Sequence, residues 1–196
     1  MLTTAGKNQM LDNWGGGYLS AHTAFPGDSG ASEVTYHTAG TRANGTFASA
    51  SGGSKALSST ASLNIPSGVT VKWLGRWTAA SAGTCLEVKP NGGDDKEFYV
   101  DQTAETINIP AHGYANDQTI VFYGGQTPST AITEGTTYFV VTTATNTFKV
   151  SATLGGAAID INREAGSACV VSKITEQAFG SNGVLDINTF VRNLNG

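Results

Sequence analysis

The densest hydrophobic pattern of the chain lies in residues 71–88, VKWLGRWTAASAGTCLEV. Apolar or small residues alternate with polar ones in its first arm. One face carries Val71, Trp73, Gly75 and Trp77, and the other carries Lys72 and Arg76. This period of two predicts a half-buried antiparallel strand, and a polar turn at residues 80–83 with a second alternating arm at residues 84–88 completes a hairpin. Because buried aromatic rings dominate small cores, we expect this hairpin to be the core of the fold.

The pattern before the hairpin changes from one helix to short strands. Residues 4–14 predict a helix capped by Thr3 or Thr4. One stripe of the helix comprises Lys7, Met10, Leu11 and Trp14, of which the last three are apolar. The three glycines at residues 15–17 are expected to end the helix and to act as a flexible hinge. A strand at residues 18–23 follows, and weaker strands are predicted near residues 34–37, 46–50 and 61–65.

The pattern of polar and apolar residues changes after the hairpin. The polar segment KPNGGDDKE, residues 89–97, is a natural boundary, and its paired acids Asp94 and Asp95 are expected to be solvated. Short apolar segments separated by Gly-rich or Asn-rich turns then predict a small barrel or sandwich. They lie at residues 98–100, 106–109, 119–123, 137–141, 147–150 and 168–174.

Two last strands, at residues 184–187 and 189–194, are too short to form a domain of their own. We expect them to return to the first domain and pair there. The prediction is therefore an all-β antiparallel protein with a host domain at residues 1–96 plus 173–196. A β-module at residues 97–172 is inserted into it, at an exposed loop of the kind that tolerates insertion best.

Composition excludes several classes of function. The 196-residue chain has a net charge of −4 and 13% charged residues, which argues against a nucleic-acid binder with its clustered basic face. No apolar run approaches the roughly 18 residues of a membrane span, and the first residues lack the apolar region of a signal peptide. We expect a protein that is made in a cytoplasm and binds neither nucleic acid nor membrane.

The residues that could carry chemistry do not form a catalytic pattern. His112, in Ala-His-Gly-Tyr, has no second metal ligand at a suitable spacing and is expected to bond the backbone of its turn. His22 is expected to bond a carbonyl of a neighbouring loop. No G-x-S-x-G unit is present, and no acid pair is placed by sequence alone at the distance that glycoside hydrolysis needs. We predict no catalytic residue, no cofactor and no metal, and hence no enzyme.

Residues 19–34, LSAHTAFPGDSGASEV, resemble a signature of small virion proteins of tailed bacteriophages, in which a strand is followed by "LHTA-x-PG" and "TGA-x-EV". The later segment 73–83, WLGRWTAASAG, and the opening LTTAGKN fit the same family. The resemblance implies a jelly-roll-like β-sandwich of the minor tail, tail fibre or head decoration type.

Residues 109–122, IPAHGYANDQTIVF, carry a second resemblance, together with EGTTYFVV at 134–141 and NTFKV at 146–150. They are similar to a small β-module of phage tail and fibre proteins with the pattern "HG-x-x-x-GD-x-V-x-F". Asn116 stands where that pattern has glycine. The two resemblances together cover nearly the whole chain.

The function implied by these resemblances is that of a non-enzymatic structural protein of the virion, bound in multiple copies to other tail or capsid proteins. A homo-oligomer is expected, with a trimer favoured. The alternative is a carbohydrate-binding module for host-surface glycan, which would need an exposed platform of aromatic rings. Its candidate rings are Tyr99, Tyr114, Tyr123 and Tyr138.

Two candidate sites follow from this interpretation. The stripe of Met10, Leu11 and Trp14 is the candidate virion contact, although it could instead cap the open end of the host sandwich. The turn that contains His112 and Tyr114 is the candidate exposed recognition turn of the inserted module.

Overall fold

The computed structural model describes residues 2–15, 17–37, 41–166 and 168–194. In these ranges it contains one short helix and sixteen strands, and the strands pair antiparallel. The predicted all-β, sandwich-type fold class with one N-terminal helix is confirmed.

The elements follow the chain in this order. Helix α1 is Thr4–Asp12. The first seven strands are β1 Tyr18–His22, β2 Ala43–Asn44, β3 Ser54–Ala56, β4 Ala61–Ile65, β5 Val69–Val71, β6 Trp73–Trp77 and β7 Cys85–Pro90. The next six are β8 Tyr99–Asp101, β9 Thr106–Asn108, β10 Thr119–Tyr123, β11 Thr137–Val141, β12 Thr147–Ser151 and β13 Val170–Lys173. The last three are β14 Gln177–Phe179, β15 Gly183–Ile187 and β16 Val191–Asn193.

The chain divides into two compact units. Unit 1 comprises Met1–Lys89 and Glu176–Gly196, and unit 2 comprises Pro90–Thr175. The connector, which the sequence analysis assigned to the host up to residue 96, therefore lies with unit 2. The reason is backbone pairing: Asn91 bonds the backbone of Thr175, and Lys96 forms an antiparallel bridge with Val171.

The acids of the connector are engaged in unit 2 and are not simply solvated. Asp94 Oδ1 accepts from the backbone N–H of Lys173 at 2.8 Å, and its other oxygen lies 3.2 Å from Lys96 Nζ. The hydroxyl of Tyr123 donates to Asp95 at 2.6 Å. The expectation of two solvated acids is therefore wrong for Asp94, which is half-buried, whereas Asp95 is exposed although it accepts from Tyr123.

Unit 1 is built from one four-stranded sheet, in the order β2-β1-β6-β7, and three two-stranded sheets. The late strands β14, β15 and β16 pair with β5, β4 and β3, so each end strand lies beside an early one. The core is mostly aliphatic. It is made of Leu19, Ala21, Val34, Ala61, Leu63, Ile65, Val71, Leu74, Leu185, Ile187 and Phe190.

The predicted first arm of the hairpin is broken at Lys72. Residues before the break pair with β14, and residues after it pair with β1. The break changes the phase of the alternation, so that Val71 and Leu74 both face the aliphatic core. Trp73 and Trp77 are buried on the other face of β6, outside that core cluster. The hairpin is therefore central and its indoles are buried as predicted, but they lie outside the aliphatic cluster.

Unit 2 contains a six-stranded sheet in the order β13-β10-β11-β12-β9-β8. Each of its strands overlaps a segment predicted from sequence. Alternate residues of these strands form a second core, of which Ile107, Ile120, Phe122, Val140, Phe148, Val150 and Val171 are fully buried. The alternation of residues along each strand was sufficient to predict the strands of unit 2, because one face of the sheet is covered throughout.

The N-terminal helix begins as predicted and ends early. Thr3 is its N-cap, and its hydroxyl oxygen accepts from the backbone N–H of Gly6 at 3.2 Å. The helix ends at Asp12, two residues before the predicted end.

The glycines that follow were expected to form a hinge, of which Gly16 lies outside the described residues. The carbonyl of Gly15 accepts from Arg76 Nη1 at 2.7 Å, and the carbonyl of Gly17 accepts from the backbone of Gly45 at 2.6 Å. Both described glycines are therefore fixed to unit 1.

Candidate functional site

A buried hydrogen-bonded chain crosses two neighbouring strands of unit 1. Trp77 Nε1 donates to the hydroxyl of Ser20 at 2.7 Å, and that hydroxyl lies 2.6 Å from His22 Nε2. His22 Nδ1 lies 2.7 Å from the carbonyl oxygen of Ala31. The predicted bond between His22 and a loop carbonyl is thus confirmed, and we call this set the Ser20–His22 network.

The partners of His22 determine its tautomer. A carbonyl oxygen can only accept, so Nδ1 carries the proton and Nε2 accepts from the Ser20 hydroxyl. Ser20 and His22 are both fully buried, and desolvation lowers the pKa of His22 despite the bond to Ala31. The ring is held neutral. A serine and a histidine in contact suggest a nucleophile, but neither has solvent access here.

Two glycines leave the space that this network occupies. A Cβ at Gly75 would lie 2.5 Å from Ser20 Oγ and 2.6 Å from His22 Nε2. A Cβ at Gly30 would collide with the ring of Trp77, and Gly30 also has a positive φ of 70°. Only glycine fits at either position.

Arg42 covers the outer face of Trp77. Its guanidinium carbon lies 3.3 Å from the ring centroid, and its Nε and Nη2 form a fork on the two oxygens of Glu33, at 2.9 and 2.7 Å. Its Nη1 donates to the carbonyls of Ala79 and Ala82 at 3.1 and 2.5 Å. Arg42 therefore fastens the loop after β1 to the turn between β6 and β7.

The candidate virion contact is divided by the structure. Leu11 is buried, Trp14 is half-buried and only Met10 is exposed, with 55% of its surface accessible. The helix is held to unit 1 by Asn8 Oδ1, which accepts from the backbone of Gly53 at 2.8 Å. The three residues do not form one exposed apolar stripe, because two of them belong to the packing of unit 1.

Trp14 lies in a cluster of charged side chains. The guanidinium carbons of Arg76 and Arg192 lie 3.7 and 3.6 Å from its ring centroid. Arg76 Nε lies 3.4 Å from one oxygen of Glu87, and Arg192 Nη1 lies 3.9 Å from the other. Arg76 was predicted on the polar outer face of its strand, but it is 3% exposed. Burial lowers the pKa of Arg76 and raises that of Glu87.

This cluster borders a cavity of about 100 Å³, which we call the Trp14 pocket. Its aromatic walls are Trp14, Phe47 and Phe190. Its charged walls are Lys55, Arg76, Arg192 and Glu87. Sequence reasoning missed this pocket, since its residues come from four distant parts of the chain. The one signal was the pair of polar residues, Arg76 and Glu87, on facing strands.

The two rings of the candidate recognition turn of unit 2 are buried, although the residues between and after them are exposed. His112 and Tyr114 are 4% and 5% exposed. The backbone N–H of Tyr114 donates to His112 Nδ1 at 2.9 Å, so Nε2 carries the proton and donates to the carbonyl of Ala144 at 2.8 Å. Both rings pack on Phe148. The predicted backbone bond of His112 is confirmed, but the turn presents no exposed ring.

The tyrosines that could form a sugar platform are separated in the same way. Tyr114, Tyr123 and Tyr138 are buried, and only Tyr99 is exposed, at 62%. The Tyr114 hydroxyl lies 3.3 Å from Asp94, and burial raises its pKa above the usual value. These rings are parts of the core, and they do not provide the coplanar exposed surface that stacking on sugar requires.

Within the described residues, no three His, Cys, Asp or Glu side chains are grouped so that they could hold a metal ion. The helix that the structure describes is too short and too polar to cross a membrane. Comparison of the chain with protein families, with curated proteins and with solved structures finds no match.

Proposed function

We propose that the chain is a non-enzymatic structural protein of a tailed-bacteriophage virion, bound in multiple copies to the tail or capsid lattice. The observation that carries the proposal is the role of the signature residues of unit 1. Ser20, His22 and Glu33, the three polar side chains of the virion-like segment that are not exposed, all bond inward to the protein itself. A signature whose polar residues hold loops in place is the kind that a scaffold needs.

Unit 2 supports the same interpretation. His112, from the module that resembles phage fibre proteins, fixes the turn before β10 to the turn before β12 through Ala144. It does so from a buried position and in a fixed tautomer. The residues of both resemblances therefore serve as internal anchors, and unit 2 is in this proposal the displayed module.

The proposal is tested on purified particles of a phage whose genome encodes the chain. Mass spectrometry should detect the chain at many copies per particle, and electron microscopy with a specific antibody should locate it on the tail or the capsid. Its presence in the infected cell but absence from washed particles would refute a structural role.

The attachment surface is tested with substitutions that leave the fold intact. Met10→Asp places a charge on the exposed side of α1 and is expected to reduce incorporation into particles. Leu154→Asp in unit 2 is the matched control, since Leu154 is 65% exposed, and should incorporate normally. Equal incorporation of both variants would exclude Met10 from the contact. Deletion of residues 1–14 is less informative, because it also removes the buried Leu11.

Oligomeric state is part of the proposal. We propose a homo-oligomer, with a trimer favoured by analogy with jelly-roll appendages. Native mass spectrometry at micromolar concentration should give a mass three times that of the 20.2 kDa chain. A monomer under these conditions would contradict a stable free trimer.

A further inference from the structure

We propose that the Trp14 pocket is a binding site for one carboxylate group carried on an apolar stem. The inference does not depend on a place in the virion. It rests on the charge of the pocket walls, on the free donors of Arg192 and on the aromatic rings beside them.

The charged walls carry an excess of positive charge. Lys55, Arg76 and Arg192 face a single acid of the pocket, Glu87. The carboxylate of Asp12 accepts from Lys55 Nζ at 3.2 Å, and it neutralises one of the three cations. One positive charge remains over the two acids. Because Arg76 and Glu87 are largely withdrawn from water, with side chains 3% and 11% exposed, a single incoming anion is favoured.

Arg192 is the group that is placed to receive the anion. A guanidinium has five N–H donors. Among the described residues, its only polar contact is with Glu87, and at 3.9 Å this is too long for a hydrogen bond. Its side chain is 35% exposed, so its donors can be reached from solvent. The fork geometry of arginine matches the two oxygens of a carboxylate.

The aromatic walls select what the carboxylate is attached to. Phe47 and Phe190 lie with ring centroids 6.3 Å apart, in an edge-to-face arrangement, and Trp14 completes the wall. A cavity of about 100 Å³ has room for a small ring or a branched side chain. An apolar stem would displace water from these rings, whereas a bare anion such as acetate would not. The stem can belong to a free small molecule or to the C-terminal residue of a peptide.

The test is a titration of the full-length protein, followed by the three indole N–H signals in nuclear magnetic resonance. Benzoate is expected to shift the Trp14 signal saturably, with a dissociation constant on the order of 1 mM, and to leave the buried Trp73 and Trp77 signals unchanged. Benzamide, which lacks the charge, and acetate, which lacks the stem, should bind at least about ten-fold more weakly. A saturable shift of equal affinity with benzamide, or no saturable shift with benzoate, would overturn the proposal.

Two substitutions with opposite expected effects separate binding from simple destabilisation. Arg192→Gln should weaken benzoate binding about ten-fold or more, whereas Glu87→Gln removes the competing anion and should strengthen it. Lys72→Gln is the control, since Lys72 is 34% exposed and ion-paired with Glu176 outside the pocket. The proposal fails if Lys72→Gln weakens binding as much as Arg192→Gln does, or if Glu87→Gln also weakens it.

A second set of titrations, with peptides, identifies the source of the carboxylate. The peptide Ala-Ala-Ala-Phe with a free C-terminus is compared with its C-terminal amide in the same titration. If the free-acid peptide binds as tightly as benzoate and the amide peptide does not bind, the result supports a chain terminus as the natural occupant. Binding of benzoate alone supports a free small carboxylate, and binding of neither overturns the site.

Discussion

The indole nitrogen of Trp77 lies 2.7 Å from the hydroxyl oxygen of Ser20 on the neighbouring strand, and Gly75 provides the space that this contact needs. Gly75→Ala should place a methyl group 2.5 Å from Ser20 Oγ and 3.0 Å from Trp77 Nε1, and overpacking of this kind costs about 1–3 kcal/mol or more. Urea denaturation of wild type and variant measures the loss. Gly180→Ala is the control because a Cβ there meets nothing within 4 Å. Equal stability of the two variants would contradict the network.

Stability should depend on pH through His22. The pKa of His22 is lowered in the folded protein by desolvation, so the unfolded chain binds the proton first as the pH falls. The stability due to the neutral ring is fully present above the unfolded-state pKa of about 6.5. It is lost as the pH falls from there toward the folded-state pKa. Urea midpoints between pH 7.5 and 5.5 should fall in the wild type, and the fall should be smaller in His22→Gln. An identical slope in both proteins would show that His22 does not cause it.

Arg42 should not be replaceable by lysine. Arg42→Lys keeps the charge near Glu33 but loses the fork and the stacking on Trp77, which should reduce the free energy of unfolding by about 2 kcal/mol. Amide hydrogen exchange in residues 79–84 should accelerate, because the bonds to Ala79 and Ala82 are lost. Lys149→Arg in unit 2, at a more exposed ion pair with Glu105, should change stability by less than about 0.5 kcal/mol.

Unit 2 should fold as an isolated fragment of residues 90–175. It has its own core and sheet, and its two ends are joined by the bond between Asn91 and Thr175. The fragment should give dispersed amide signals and a cooperative thermal transition. Phe148→Ala, which removes a fully buried ring, should lower its stability by about 3–5 kcal/mol. A fragment that unfolds without cooperativity would contradict the independence of the unit.

The strands of unit 2 were predictable because their signal is local. Tyr138 and Val140 alternate with half-buried neighbours on β11, and turn residues bound each strand, so each segment reveals its own state. The cap at Thr3, the late strands near residues 184–194 and the backbone bonds of His22 and His112 also follow from neighbouring residues or from simple polar bonding. In these cases the local sequence was sufficient to identify the element or the bond.

Which face of a strand is covered, and by what, was decided only by the tertiary structure. Trp73 and Trp77 are buried as expected, but the break at Lys72 changed the phase, so that Phe25 packs on Trp73 and Arg42 covers Trp77, outside the aliphatic cluster. The expected exposure of His112 and Tyr114 failed for a related reason, since Phe148 and the carbonyl of Ala144 reach them from β12 and the turn before it. Burial depends on contacts between residues far apart in the chain, and the alternation of polar and apolar residues along one strand does not record them.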